Sequence, residues 1–173
     1  MTQATCAPDS AAREAVVVIG VGNSLRHDDG AGPEVVRRLG PAAAAAGIAA
    51  RALEGETLGL LDVWAGARAV VLVDTTRSGA PPGTIHRLDV SSQPLPGELR
   101  GSSSTHAIGV REGIELARTL GRLPRRVLLL GVEGRRFDAG TGFSREVEAA
   151  LEELTQATLR EARALANRSG AEA

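Results

Sequence analysis

The chain has 173 residues, a formal net charge of -1 and 43% hydrophobic residues, enough for one domain with a sizeable core. Acids and bases are intermixed and aromatics are scarce (two Phe, one Trp, no Tyr), so neither a basic field nor stacking platforms would recruit nucleic acid or a membrane surface. The single cysteine, Cys6, excludes an intramolecular disulfide and a cysteine-rich zinc site, and fits a reducing compartment.

Residues 1–14 carry neither a basic leader nor a continuous apolar core, and no apolar run approaches the roughly 20 residues of a membrane span. These features predict a cytoplasmic protein with a flexible tail over 1–14, a single domain over 15–165 and a second tail over 166–173. Val16–Gly20 is a charge-free β-branched run that suits a fully buried strand. It breaks at Gly20-Val21-Gly22, and a polar loop with His27, Asp28 and Asp29 follows. Pro33-Glu34 opens a helix that runs into the alanine-rich stretch before Gly47. Ile48–Leu53 predicts a weak strand, and Leu58–Gly66 a short helix with Leu60, Leu61 and Trp64 on one face.

Ala69–Val73 is the second clear buried strand, ending at Asp74. A turn-rich loop then leads to Thr84–Val90, a half-exposed strand. The polar connection Ser91–Ser104 is long enough to be functional or mobile. His106 closes it, ahead of a helix whose apolar set is Ile108, Ile114, Leu116 and Leu120. Val127–Val132 is the last strand, followed by the glycine-rich loop Gly134–Gly142 and a helix from the N-cap candidate Ser144 to about Leu165.

Strands that are apolar throughout, alternating with helices, predict an α/β three-layer sandwich. Its mostly parallel twisted sheet would have about five strands, with helices on both faces. Ligands in such folds sit beyond the carboxyl ends of the strands. Asp28, Asp29, Asp74 and the loop after Val132 fall there, and His106 reaches the same rim if its loop folds back. Two carboxylates brought together need a proton or a cation between them. With an imidazole they form a donor set for zinc, nickel, iron or manganese, and three protein ligands leave positions open for catalysis.

Plainer roles stand beside these. Asp74 could cap the next turn, His106 could cap a helix, and Asp28 could hold its loop in an Asx-turn. His27 and His86 read as surface residues. Gly20-x-Gly22 resembles the start of a dinucleotide fingerprint, but Leu25 replaces the third glycine and Asp28-Asp29 would repel a pyrophosphate. No G-x-S-x-G nucleophile elbow is present.

Four blocks in order, GVGNSLRHDDGAGPEVV, VVLVDTTRSGAPPGTIHRL, SSSTHAIGV and VLLLGVEGRRFDAGTGFS, resemble the hydrogenase maturation proteases. These endopeptidases trim the C-terminal extension of nickel–iron hydrogenase large subunits. The resemblance spans about Val16 to Leu154. It implies Asp29, Asp74 and His106 as metal ligands, with nickel delivered inside the precursor and the site largely empty in the free enzyme. Asp29 stands where several members have glutamate, a reach shorter by about 1.5 Å, one carbon–carbon bond. Asp29 would act in catalysis with the metal, and Asp28 as a supporting neighbour, a general base or a shaper of the loop. Arg135 and Arg136 are candidates to grip the precursor. The alternative is a nickel-checking chaperone on the same fold that binds the precursor and leaves it intact. Oligomeric state is not legible.

Overall fold

The computed structural model describes residues 16–54, 59–91, 100–101 and 109–170. Four strands run parallel at the centre of the molecule: β1 (Val16–Gly22), β2 (Ala49–Glu54), β3 (Ala69–Arg77) and β6 (Arg126–Glu133). Their order is β2-β1-β3-β6, with β4 (Ile85–Asp89) antiparallel on the far side of β6. A short β5 (Arg100–Gly101) pairs antiparallel with the end of β3.

The period of two in the apolar strands feeds two cores. Val16 and Val18 of β1, Val71 and Val73 of β3, and Leu130 and Val132 of β6 pack on one face of the sheet. There they meet α1 (Ala31–Ala45) and α4 (Arg145–Gly170). Val17 and Ile19, Val70 and Leu72, and Val127 and Leu129 pack on the other face, under α2 (Leu60–Val63) and α3 (Val110–Thr119). Helices therefore cover both faces, as the alternation of strands and helices implied.

Three local expectations are corrected. The strand at Asp74 continues to Arg77, because β3 keeps its partner on the β6 side as far as Thr76 opposite Glu133. In α3 the buried stripe is Val110, Ile114 and Ala117, a spacing of four then three that keeps one helix face. Leu116 and Leu120 lie off that stripe and are exposed, and Ile108 lies outside the described residues. The last helix runs past Leu165 to Gly170.

Connectivity sets where the sheet opens. From β1 the chain passes through α1 on one face to β2, then through α2 on the other face to β3, so β1 has successive strands on its two sides. The pairing of β1 with β3 ends at Gly20 opposite Val73. Asp74 is thus the first residue of β3 beyond its contact with β1. The carboxyl ends of two such strands are the usual ligand position in a doubly wound sheet.

Candidate metal and substrate site

The loop after β1 is compressed against the sheet by glycine. A Cβ on Gly20 would strike the carbonyl of Gly32, and one on Gly22, at φ +148°, would strike the carbonyl of Asp29. A Cβ on Gly32 would lie 2.6 Å from the carbonyl oxygen of Val73 and also overlap that of Val21. These glycines let the start of α1 sit directly on the ends of β1 and β3. Their close packing explains Gly20-x-Gly22 without a phosphate. Asn23 then ties the loop at three points. Its amide donates to the carbonyl of Asp29 (3.1 Å), its own carbonyl accepts from Arg26 N–H (3.0 Å), and its Oδ1 accepts from Leu25 N–H (2.9 Å).

Asp28 and Asp29 occupy a 3-10 turn at His27–Gly30, and both are buried. Asp28 is fully enclosed. Its Oδ2 accepts the backbone N–H groups of Arg135 and Arg136, each at 2.8 Å, and its Oδ1 that of Ser144 at 2.6 Å. Burial alone would raise the Asp28 pKa. The amides of Ser144, Arg136 and Arg135 outweigh it and hold the carboxyl below the usual aspartate value. Asp28 thus fastens the β1–α1 loop to the β6–α4 loop. Its own carbonyl accepts the hydroxyl of Thr75 at 2.7 Å, fastening it to β3 beside Asp74 as well.

Asp74 is buried, and its Oδ1 accepts the N–H of Thr75 at 2.7 Å. Loss of hydration pushes its pKa up to about 8; the Thr75 N–H opposes the rise, and the nearby charge of Asp29 adds to it. Asp29 and Asp74 are therefore close enough for the charge of one to oppose ionisation of the other. A cation between them would relieve both the repulsion and the desolvation. His106 lies outside the described residues, and among the described residues no group of three or more His, Cys, Asp or Glu side chains forms a metal-binding cluster.

His27, read from the sequence as solvent-facing, is buried with φ +49°. Gly140 makes room for it, since a Cβ there would collide with the imidazole. Nδ1–H donates to the carbonyl of Gly142 at 3.1 Å, and Nε2 accepts from the Arg136 guanidinium at 2.9 Å. A carbonyl can only accept and a guanidinium can only donate, so these two partners favour this tautomer, while the exposed Asp138 carboxylate lies 3.5 Å from the same Nε2. Arg136 is thereby held in the loop junction, and Arg135 pairs with Glu146 at 3.0 Å. Arg26 donates two bonds to the carbonyl of Phe137, at 3.1 and 2.9 Å, completing the junction of the two loops.

Glu133, at the end of β6, was not singled out in the sequence. It is buried and accepts the N–H groups of Ser78 (2.7 Å) and Gly79 (2.9 Å) and the hydroxyls of Thr76 (3.0 Å) and Ser78 (2.9 Å). Burial raises its pKa and these donors more than reverse that, so it lies below the ordinary glutamate value. His86 faces it from β4, half-buried with Nε2 at 3.4 Å from the carboxylate, where the sequence suggested a surface residue. Glu133 shapes the turn after β3. It ends its strand beside a glycine, as Asp74 follows an apolar run, and that parallel was the available signal.

The site is thus a pair of buried carboxylates, Asp29 and Asp74, at the switch point of a doubly wound α/β sheet. Residues 53–161 match the family model described as hydrogenase maturation protease. The chain is 33% identical over 154 residues to the hydrogenase expression/formation protein HupD of Thiocapsa roseopersicina, an alignment covering 82% of this chain and 68% of that protein. The hydrogenase maturating endopeptidase HybD of Escherichia coli superposes with a TM-score of 0.65 at 26% identity, covering 84% of this chain and 92% of that one. The [NiFe] hydrogenase maturation protease HybD of Thermococcus kodakarensis gives 0.67 at 25% identity, with 85% and 98% covered. The chain belongs to the hydrogenase maturation protease family.

Proposed function

We propose that the protein is a cytoplasmic endopeptidase that removes the C-terminal extension of a nickel-loaded hydrogenase large-subunit precursor. The observation that carries this reading is the pair of buried carboxylates, Asp29 and Asp74, where β1 and β3 part, in a chain of this family. The relatives' names, as hydrogenase expression/formation proteins, support the choice of partner. Among the described residues no helix is long and apolar enough to cross a membrane.

In this reading Asp29, Asp74 and His106 receive the nickel that arrives with the precursor, so the metal is part of the substrate. Carboxylate oxygens and an imidazole suit a divalent ion of intermediate hardness, and three donors leave the rest of its coordination to the client. The absence of thiolate among the donors keeps the protease from extracting the metal. The ion supplies polarisation of the scissile carbonyl or of an attacking water. Asp29 lies nearest this chemistry, while Asp28, with both oxygens occupied by backbone N–H groups, acts by holding the loop.

The test is a mass measurement. Purified enzyme incubated with nickel-loaded precursor is expected to shorten it by the extension, while Asp29→Ala and His106→Ala each slow the reaction by at least about 1,000-fold. A precursor left whole, while a competent relative cuts it in parallel, would overturn the protease reading and leave the chaperone reading in its place.

A further inference from the structure

Asp29 and Asp74 are delivered by separate elements, the 3-10 turn after β1 and the strand β3. Thr75, fully buried and opposite Val132 of β6, is bonded to the carriers of both. Its N–H donates to Asp74 Oδ1 at 2.7 Å, which fixes one oxygen of that carboxyl. Its hydroxyl donates to the carbonyl of Asp28 at 2.7 Å. That carbonyl belongs to the planar peptide unit that ends at the Cα of Asp29. The N–H of the same unit donates to the carbonyl of Arg26 at 3.2 Å. The unit is held from both sides, and the Asp29 side chain departs from a fixed point on it.

Shape sets the direction of the Thr75 hydroxyl. Strand side chains alternate, so Thr75 shares the face of Val73, on which the start of α1 rests. A β-branched side chain has few χ1 positions. The methyl of Thr75 is packed beside Gly134, where a Cβ would come within 2.6 Å of it. With the methyl placed there, the hydroxyl meets the Asp28 carbonyl. That carbonyl also accepts the N–H of Ala31, so it keeps a partner without Thr75. The consequence of the Thr75 bond is therefore geometric: it ties the turn of Asp29 to the strand of Asp74.

We propose that Thr75 is a positioning residue whose hydroxyl sets the separation of the Asp29 and Asp74 carboxylates, and with it their grip on the incoming metal. Two like charges in a buried site move apart if the backbone lets them, and a tie between their carriers keeps them at the spacing a shared ion needs. Groups behind metal-binding side chains change metal affinity or activity by about 10–100-fold when removed. This inference rests on the metal-receiving, proteolytic reading above.

Two substitutions divide the side chain. Thr75→Val keeps the methyl and removes the hydroxyl, while Thr75→Ser keeps the hydroxyl and removes the methyl. Both are expected to lower the melting temperature by a few degrees. Only Thr75→Val is expected to weaken the binding of nickel alone to the metal-free enzyme, by about tenfold in a calorimetric titration. On nickel-loaded precursor it should lower kcat by about tenfold and leave KM within about twofold, whereas Thr75→Ser stays within about threefold of the wild type in every constant. Equal nickel affinity in the wild type and Thr75→Val, or equal losses in the two variants, would reduce Thr75 to packing and overturn the proposal. A wild type that takes up no nickel alone would overturn it too. A wild type that binds nickel but leaves the precursor whole overturns the proteolytic reading only, and the titration still decides the role of Thr75.

Discussion

Asp74→Asn is expected to make the metal-free enzyme more resistant to heat and to abolish cleavage. The carboxyl of Asp74 is buried, is opposed by the charge of Asp29, and has its pKa pushed up to about 8 from 3.8. As pH rises above about 4 the unfolded chain loses this proton first while the folded protein retains it. Stability therefore falls progressively between about pH 4 and pH 8 and is constant beyond. At about 1.4 kcal/mol per unit, the full span amounts to several kcal/mol. Asparagine carries no charge and keeps an oxygen to accept the Thr75 N–H. The melting temperature is expected to rise by roughly 10 °C or more at pH 8, using 2–4 °C per kcal/mol, and by much less at pH 5. A gain in stability coupled to loss of activity is the mark of a group kept for function. Thermal melts at the two pH values and the cleavage assay check both halves. An unchanged or lower melting temperature at pH 8, or retained cleavage, would contradict the argument.

Asp28→Ala is expected to do the opposite, losing stability and activity together. It removes the acceptor of three backbone N–H groups that join the β6–α4 loop to the loop of Asp29. Hydrogen bonds to a charged group contribute about 1.5–3 kcal/mol each and do not add fully, so a loss of about 4 kcal/mol is expected. That corresponds to roughly 10 °C in melting temperature at neutral pH. Cleavage should fall at least about 100-fold, because the released loop no longer holds Asp29 against β3. Since the Asp28 pKa is lowered on folding, its contribution is present above about pH 3.8 and is lost as pH falls toward the folded value. If Asp28 were instead the general base, the acidic limb of the wild-type pH–rate profile would follow its titration, and Asp28→Asn, which also loses an acceptor for a backbone N–H, would erase that limb.

What could be read from the chain follows from which signals are local. The strands at Val16 and Ala69 are continuous apolar runs, a pattern that needs both faces covered, so the layered sheet was legible. The placement of Asp29 and Asp74 beyond those apolar runs was legible because a parallel sheet opens there. Less visible was anything fixed by pairing at long range. β3 continues past Asp74 because β6 accompanies it there, and no residue near Asp74 announces that. The inward turn of His27 depends on Gly140, Gly142 and Arg136, more than a hundred positions away. The three-fold anchorage of Asp28 likewise needs amides from the far end of the chain. In α3 the apolar residues outnumber those that one face can bury, so composition overstated the stripe.

The central claim is that three acidic and imidazole side chains distant in sequence converge on one ion. Crystals of the enzyme soaked with nickel or cadmium test it most directly, by anomalous scattering at the metal edge. The account predicts a single strong site with oxygen or nitrogen atoms of Asp29, Asp74 and His106 within bonding distance of the ion. An ion held elsewhere, or His106 turned away from an ion bound by the two aspartates, would contradict it.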